Sequence, residues 1–322
     1  MSRAVTRHRC SRGTAIVLAG GLGTRMHPLS ADRPKHLLEV AGEPVVVHQL
    51  RWLAAHGVVD VVLATSHLGE RFEPVLGDGS RWGIRLTYSH EPKPAGTAGG
   101  LRLAATALAS LPEYLVVVNG DLLTSHDLTS QRLMASQDGG PDAVLHLRTV
   151  PDPRPFGSVV ADGHGLVTRF VEKSANPPST EVNAGTYVLR RTVLDLIGDG
   201  VVSLERDVLP SVVDSGRVVA YRENALWEDV GTPQALVRAS AALVLASGRD
   251  AHVDRSALVD PTAVITDGSA VGPGAVVRAG ARIRGSVIMS GAVIGPRADV
   301  AHSVVAPGAR VEGGTVLRGF VI

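Results

Sequence analysis

Apolar positions in the first part of the chain fall into short runs separated by amphipathic stretches. The runs at 15–19, 58–65 and 114–119 have the length of buried strands, and the segments 45–56 and 96–109 between them carry helical spacing. Strand, helix, strand, helix, strand implies a parallel sheet whose ligands lie outside the carboxyl ends of its strands. Further strands are expected at 143–149, 157–161, 184–189 and 217–221. From Val259 the pattern changes, because a branched apolar residue recurs every six: Val259, Ile265, Val271, Val277 and Ile283. The segments beginning at Arg284, Ala301 and Arg318 then repeat every seventeen, with glycines and prolines at the intervening turns.

These hexapeptides resemble the repeats of a left-handed parallel β-helix, in which three short strands make a triangular coil; about four coils fit between 251 and 322. The chain is therefore read as a tail at 1–13, an α/β domain at 14–246 and a β-helix domain at 251–322. The α/β domain is expected to hold a Rossmann-like, mixed but mainly parallel sheet flanked by helices. The 322 residues are 44% hydrophobic with a formal charge of +1, a soluble globular balance. Neither a strongly basic field nor interleaved aromatic and basic residues are present, which argues against nucleic acid as a partner. No apolar run has the length to span a bilayer. The single cysteine, Cys10, excludes an intramolecular disulfide framework and fits a reducing cytoplasm. It lies in the Arg- and Ser-rich segment 1–13, whose few apolar residues cannot offset the entropy of ordering it.

The strand at 15–19 runs into Gly20-Gly21-Leu22-Gly23-Thr24-Arg25, and Lys35 follows Pro34. The glycines let the backbone turn sharply and present N–H groups to anionic oxygens. Arg25 adds a rigid planar cation and Lys35 a compact, flexible one, so the segment suits a polyphosphate. Of the 32 basic residues only Lys35, Lys93 and Lys173 are lysines; Lys93, in a proline-rich loop, reads as an ordinary surface residue. Neither the P-loop nor the dinucleotide-binding glycine spacing is present. Two carboxylates stand beside glycines at strand ends, Asp121 after Asn119-Gly120 and Asp229 before Val230-Gly231-Thr232-Pro233. Asp121 could merely cap the next helix; as hard oxygen donors, both suit Mg²⁺ (or Mn²⁺) shared with substrate phosphates.

The run from Gly20 through Arg25, Pro28-Leu29 and Pro34-Lys35, with N-G-D at 119–121 and W-x-D-V-G-T-P at 227–233, resembles the sugar-1-phosphate nucleotidyltransferases, or NDP-sugar pyrophosphorylases. The resemblance covers nearly the whole chain from Thr14. It implies a reaction between a nucleoside triphosphate and a sugar 1-phosphate, with Arg25 and Lys35 as catalytic cations and Asp121 and Asp229 as metal ligands. It places Leu18, Ala19, Gly20, Gly21, Gly23, Thr24, Glu91, Gly96, Thr97 and Ala98 on the nucleotide. Gly120, Gly157, Glu172, Lys173, Asn183, Gly185 and Glu205 fall to the sugar phosphate. Glu172 and Lys173 are adjacent at a strand end, where side chains point to opposite faces, so a mutual ion pair is not their expected purpose. Glu91, an acceptor-only carboxylate, could take both N1–H and the exocyclic amine of guanine, which favours GTP, and mannose 1-phosphate is the favoured sugar.

Other readings stay open. UTP or dTTP with glucose 1-phosphate, or a heptose or cyclitol phosphate, would use the same machinery. His27, Ser30 and His36 depart from the family's habit without removing a charge and could alter substrate fit. A catalytically silent, NDP-sugar-binding regulatory subunit is a rival of another class. Hexapeptide β-helices also host acyltransferases with a histidine base, for which His252 and His302 are the candidates; a role in assembling a homo-oligomer is the favoured expectation for 251–322.

Overall fold

The computed structural model describes residues 12–137 and 139–322; Cys10 and most of the expected tail lie outside them. The chain forms two compact units, one of residues up to Gly21, Leu50–Gly120 and Thr124–Trp227, the other of Leu22–Gln49, Asp121–Leu123 and Glu228–Ile322.

The first unit is built on a nine-stranded sheet. Its strands in chain order are β1 (Gly13–Ala19), β2 (Val58–Thr65), β3 (Arg85–His90), β4 (Tyr114–Asn119), β5 (Ala143–Thr149), β6 (Gly157–Ala161), β7 (Val167–Glu172), β8 (Glu181–Arg190) and β9 (Val218–Arg222). They lie in the order β7-β6-β8-β4-β1-β2-β3, with β5 paired to both β8 and β9. Strand β1 runs parallel to β2 and β4, β2 to β3, and β5 to β9. Around β8 the sense reverses, since β8 is antiparallel to β4, β5 and β6, and β6 to β7. The difference follows from the connections. Crossovers such as the helix Gly96–Ala105, between β3 and β4, are long enough to return the chain parallel, whereas β6 and β7 are joined by a tight turn. Asp162 closes that turn by accepting from the amides of His164 and Leu166, both at 2.9 Å. Ile16, Val17, Val62, Leu63, Val116 and Val117 are at most 1% exposed, as expected of strands covered on both faces.

The second unit contains three parallel four-stranded sheets, the arrangement of a left-handed parallel β-helix. The register shows the coil length directly: Val253 pairs with Val271, eighteen residues on, and Val271 with Ile288, seventeen on. The residue is lost at a corner, where Asp267 and Gly268 both take positive φ in the first coil but Gly285, His302 and Gly319 do so singly in the later ones. Beside that corner the buried Ser269, Ser286 and Ser303 form a ladder in which each hydroxyl accepts an amide from the next coil, at 3.1 to 3.2 Å. Val271, Val277, Ile283, Ile288, Ile294 and Val300 fill the interior. The same unit takes in the chain after the glycine turn: Met26, Leu29, Leu38, Val40 and Val45 share one apolar cluster with Val230, Leu236, Val287, Met289 and Val304. Glu39 accepts a hydrogen bond from Ser290 Oγ at 2.5 Å, and Ala41 N–H donates to Ser240 Oγ at 3.0 Å.

Candidate functional site

Strands β1 and β4 are parallel neighbours in register at Leu18 and Asn119, and Gly120 N–H donates to Leu18 O at 2.9 Å. Gly20 and Gly120 therefore leave adjacent strand ends. Leu18 and Ala19 close β1, and Gly21, at φ +103, donates its amide to Ser66 Oγ at 3.1 Å. Ser66, just past β2, also stands 3.2 Å from where a Cβ on Gly20 would lie. It shapes the turn without charge or motif to announce it. Glu91, just past β3, accepts from Ala95 N–H through Oε2 at 3.0 Å, and its Oε1 lies 2.1 Å from the position of a Cβ on Gly100. Glycine at 100 thus makes room for this carboxylate on the helix. At the start of that helix Gly96 has φ +78 and its missing Cβ would sit 2.3 Å from Val202 O. Ala98 N–H donates to the same carbonyl at 3.0 Å, and Thr97 Oγ1 donates to Glu205 Oε2 at 2.8 Å.

The residues expected around a sugar are drawn together by β6, β7 and β8. A Cβ on Gly157 would meet Glu172 Oε2 at 2.7 Å and the Phe170 ring at 2.8 Å, so only glycine leaves room for both. Burial, reinforced by the Glu205 carboxylate and opposed by the Lys173 ammonium, raises the pKa of Glu172. The two adjacent residues do form an ion pair, 3.4 Å between Lys173 Nζ and Glu172 Oε1. The strand ends at Glu172, and Lys173 takes a left-handed backbone, φ +48, which removes the alternation that would have parted them. The register of β8 against β5 shifts between Asn183 and Tyr187, a bulge centred on Gly185 at φ +72. Asn183 Oδ1 accepts the Gly185 amide at 3.0 Å, and Trp227 Nε1–H donates to Ala184 O at 2.9 Å, fixing the bulge from both sides. Tyr187 is fully buried, and its hydroxyl accepts from Asn183 Nδ2 at 2.7 Å and donates to Glu205 Oε1 at 3.4 Å. Neither Tyr187 nor the Trp227 indole bond was foreseen, since both look like core aromatics in sequence.

The second unit carries Arg25, Lys35, Asp121 and Asp229. The Lys35 ammonium sits directly on the Asp121 carboxylate. Burial opposes ionisation of Asp121, but the charge and hydrogen bond of Lys35, with His36 and a backbone amide, together outweigh it, so its pKa lies below the usual carboxylate value. Asp121 caps no helix: it precedes the short strand Leu122–Thr124, and the next helix, Leu128–Ala135, is capped by Asp127. Its carbonyl accepts the Val230 amide at 2.8 Å, which ties the N-G-D and W-x-D-V-G-T-P segments together. Arg25 Nη2 and Asp229 Oδ1 lie 2.8 and 2.9 Å from the position of a Cβ on Gly231. The glycine lets a cation and a carboxylate converge there. Thr232 then caps the helix Pro233–Ala246 by accepting from Ala235 N–H. Gly23 and Thr24 open a single 3₁₀ turn carrying Arg25, braced by Ser30 Oγ donating to Gly23 O at 2.8 Å. His36 is buried, and burial, with the Lys35 charge second, drops its pKa to about 3, so it stays neutral beside the lysine. Among the described residues no group of three or more His, Cys, Asp and Glu side chains is gathered to hold a metal, nor is any helix long and apolar enough to cross a membrane.

Residues 14–244 match the family model described as nucleotidyl transferase, and residues 248–322 match that of the GMPPB C-terminal domain. The chain belongs to the nucleotidyl transferase family. It is similar to a mannose-1-phosphate guanylyltransferase of Mycobacterium tuberculosis, with 41% identity over 233 residues that cover 71% of this chain and 64% of that protein. A mannose-1-phosphate guanylyltransferase catalytic subunit beta of Drosophila melanogaster is 34% identical over 221 residues, covering 68% of this chain and 60% of its own. The chain thus spans less than two thirds of the length of these relatives. Among solved structures, HddC from Yersinia pseudotuberculosis, complexed with GMP-PN, superposes with a TM-score of 0.62 at 25% identity, covering 72% of this chain and 99% of that one.

Proposed function

We propose that this nucleotidyl transferase is a sugar-1-phosphate guanylyltransferase that joins GTP and mannose 1-phosphate into GDP-mannose and releases pyrophosphate. The observation that carries the reading is the pairing of Lys35 with Asp121, beside the convergence of Arg25 and Asp229 on Gly231, in a chain of this family. A phosphate oxygen of the sugar 1-phosphate attacks the α-phosphorus in line, and pyrophosphate leaves. Two anions repel as they meet, so Lys35 exchanges Asp121 for a phosphate oxygen, and Arg25 neutralises charge that redistributes onto the leaving group. Asp121 and Asp229 would hold a Mg²⁺ or Mn²⁺; two hard carboxylates without further protein ligands fit an ion that shares water and substrate phosphates. When bound, that ion supplies charge neutralisation at the phosphoryl oxygens.

The names of the guanylyltransferase relatives and the GMP-PN bound to HddC support GTP, as does an acceptor-only carboxylate at Glu91. Glu172, Asn183 and Glu205 would read sugar hydroxyls, with Lys173 on the sugar phosphate. A single cysteine, which allows no intramolecular disulfide, supports a cytoplasmic enzyme. Leu258, Val264 and Val316, 67%, 50% and 59% exposed on the β-helix strands, support a homo-oligomer formed through that domain. Retention of Arg25, Lys35, Asp121, Lys173 and Asp229 favours an enzyme over a silent regulatory subunit. Pyrophosphate release with Mg²⁺, across GTP, UTP, dTTP, ATP and CTP against mannose, glucose and heptose 1-phosphates, tests the reading. GTP with mannose 1-phosphate is expected to be the most active pair; silence across the matrix, with GDP-mannose still bound, would overturn catalysis in favour of regulation.

A further inference from the structure

Thr97 and Glu205 stand 108 residues apart in sequence, one expected on the nucleotide and the other on the sugar, yet they are hydrogen-bonded to each other. The Thr97 hydroxyl has one proton, given to Glu205 Oε2 at 2.8 Å, and it accepts the Leu204 amide at 2.7 Å. Ser203 Oγ donates to the same carboxylate oxygen at 3.1 Å. With two donors on Oε2, the oxygen that retains capacity is Oε1, whose partner is the long Tyr187 contact at 3.4 Å. From Tyr187 the path continues to Asn183 Nδ2 at 2.7 Å. The backbone is joined at the same place, because Val202 donates to Ala95 O at 2.9 Å and accepts from Ala98 N–H at 3.0 Å.

We propose that Thr97 is a positioning residue for the sugar subsite: its hydroxyl aims the Glu205 carboxylate at a sugar hydroxyl and links that carboxylate to the start of the nucleotide helix, so that filling one subsite prepares the other. The proposal rests on the guanylyltransferase reading only in needing a hexose phosphate at Glu205. A carboxylate clamped through one oxygen keeps its plane, which lets the other oxygen discriminate between hydroxyl positions. Without the clamp, Glu205 would pay for that orientation each time sugar binds.

Titration calorimetry on the full chain, with mannose 1-phosphate alone, with GTP alone and with GTP into the mannose 1-phosphate complex, all without divalent metal so that no turnover intervenes, tests this. Thr97→Val is expected to weaken mannose 1-phosphate about 10-fold, in line with losing a hydrogen bond to a charged group. GTP alone should lose less affinity than mannose 1-phosphate does, and the gain in GTP affinity from pre-bound mannose 1-phosphate should disappear. Thr97→Ser, which keeps the hydroxyl, should behave as wild type. The double variant Thr97→Val, Glu205→Gln should bind mannose 1-phosphate no more weakly than Glu205→Gln alone, because Thr97 acts through Glu205; a merely structural role would add its loss in full. Wild-type binding by Thr97→Val, or full additivity in the double variant, overturns the proposal. Pyrophosphate release by the wild type is read separately. An inactive wild type that still shows Thr97-dependent binding removes the reaction and keeps this inference, while an active wild type indifferent to Thr97→Val removes this inference alone.

Discussion

Lys35 and Asp121 are counter-ions to each other, so the lysine serves the charge balance of the site as well as its chemistry. Its ammonium offsets the cost of keeping Asp121 ionised in a site where burial works against the charge. Lys35→Ala leaves that carboxylate without its cation but removes no apolar contact of the core, in which Leu37 and Leu38 carry the neighbouring packing. Turnover is expected to fall about 100-fold to 1000-fold, the usual loss on removing one donor to developing charge, with a lowered thermal midpoint because a buried carboxylate loses its cation, and with unfolding still cooperative. Near wild-type pyrophosphate release would place the lysine outside the chemistry. Asp121 and Asp229 were legible in sequence because each closes an apolar or aromatic run within two residues of a glycine, and Arg25 and Lys35 because they follow a glycine-rich turn and a proline. Ser66, Tyr187 and the Trp227 indole were not legible. A hydroxyl or ring that hydrogen-bonds a backbone group 43 or 45 residues away leaves no spacing to read.

Elements were readable where periodicity alone determines them and obscure where a local break carries the function. The runs at 58–65, 114–119 and 143–149 coincide with strands, since continuous apolar stretches of that length have few other outcomes. The bulge at Asn183–Tyr187 was invisible because the apolar pattern of β8 continues through it and only Gly185 marks it. In the β-helix the seventeen-residue repeat carries its own polar spine. Ser286 Oγ donates to Arg284 O at 2.8 Å and accepts the Ser303 amide at 3.1 Å, the latter between two buried serines. Ser286→Ala strands that amide, so a loss of about 1–3 kcal/mol in urea unfolding is expected, against under about 0.5 kcal/mol for Ser256→Ala on an exposed corner. Equal effects at the two serines would show that the ladder contributes nothing.

For the molecule as a whole, acid should be the weakness. His126 and His146 stack with ring centroids 3.8 Å apart and are 0% and 1% exposed. Burial, then the neighbouring His146, lowers His126 from 6.5 to about 3, and burial likewise lowers His146. Both are neutral when folded and become charged when unfolded, so below about pH 6.5 the unfolded chain binds more protons and stability declines as pH falls. His126 alone should cost about 1.4 kcal/mol for each full unit below that value; a urea midpoint that stays level from pH 7 to 5 would contradict it. The second whole-molecule expectation concerns residues 251–322, whose hexads read in sequence as a separate β-helix domain with a role in assembly. Leu38, Val40 and Val45 read as ordinary apolar positions, and nothing in their spacing says which face they meet. They meet the coils, in one cluster with Val287, Met289 and Val304, and Glu39 bonds Ser290. A chain ending at residue 246 loses those three buried side chains, each worth about 1.5–3 kcal/mol, against a total stability of about 5–15 kcal/mol. Lys35 and Asp121 belong to the unit so weakened. The shortened chain is expected to bind a hydrophobic dye, unfold without cooperativity and release no pyrophosphate. A cooperative, active chain of that length would show instead that the coils serve assembly alone and that the segment bearing Lys35 holds its shape without them.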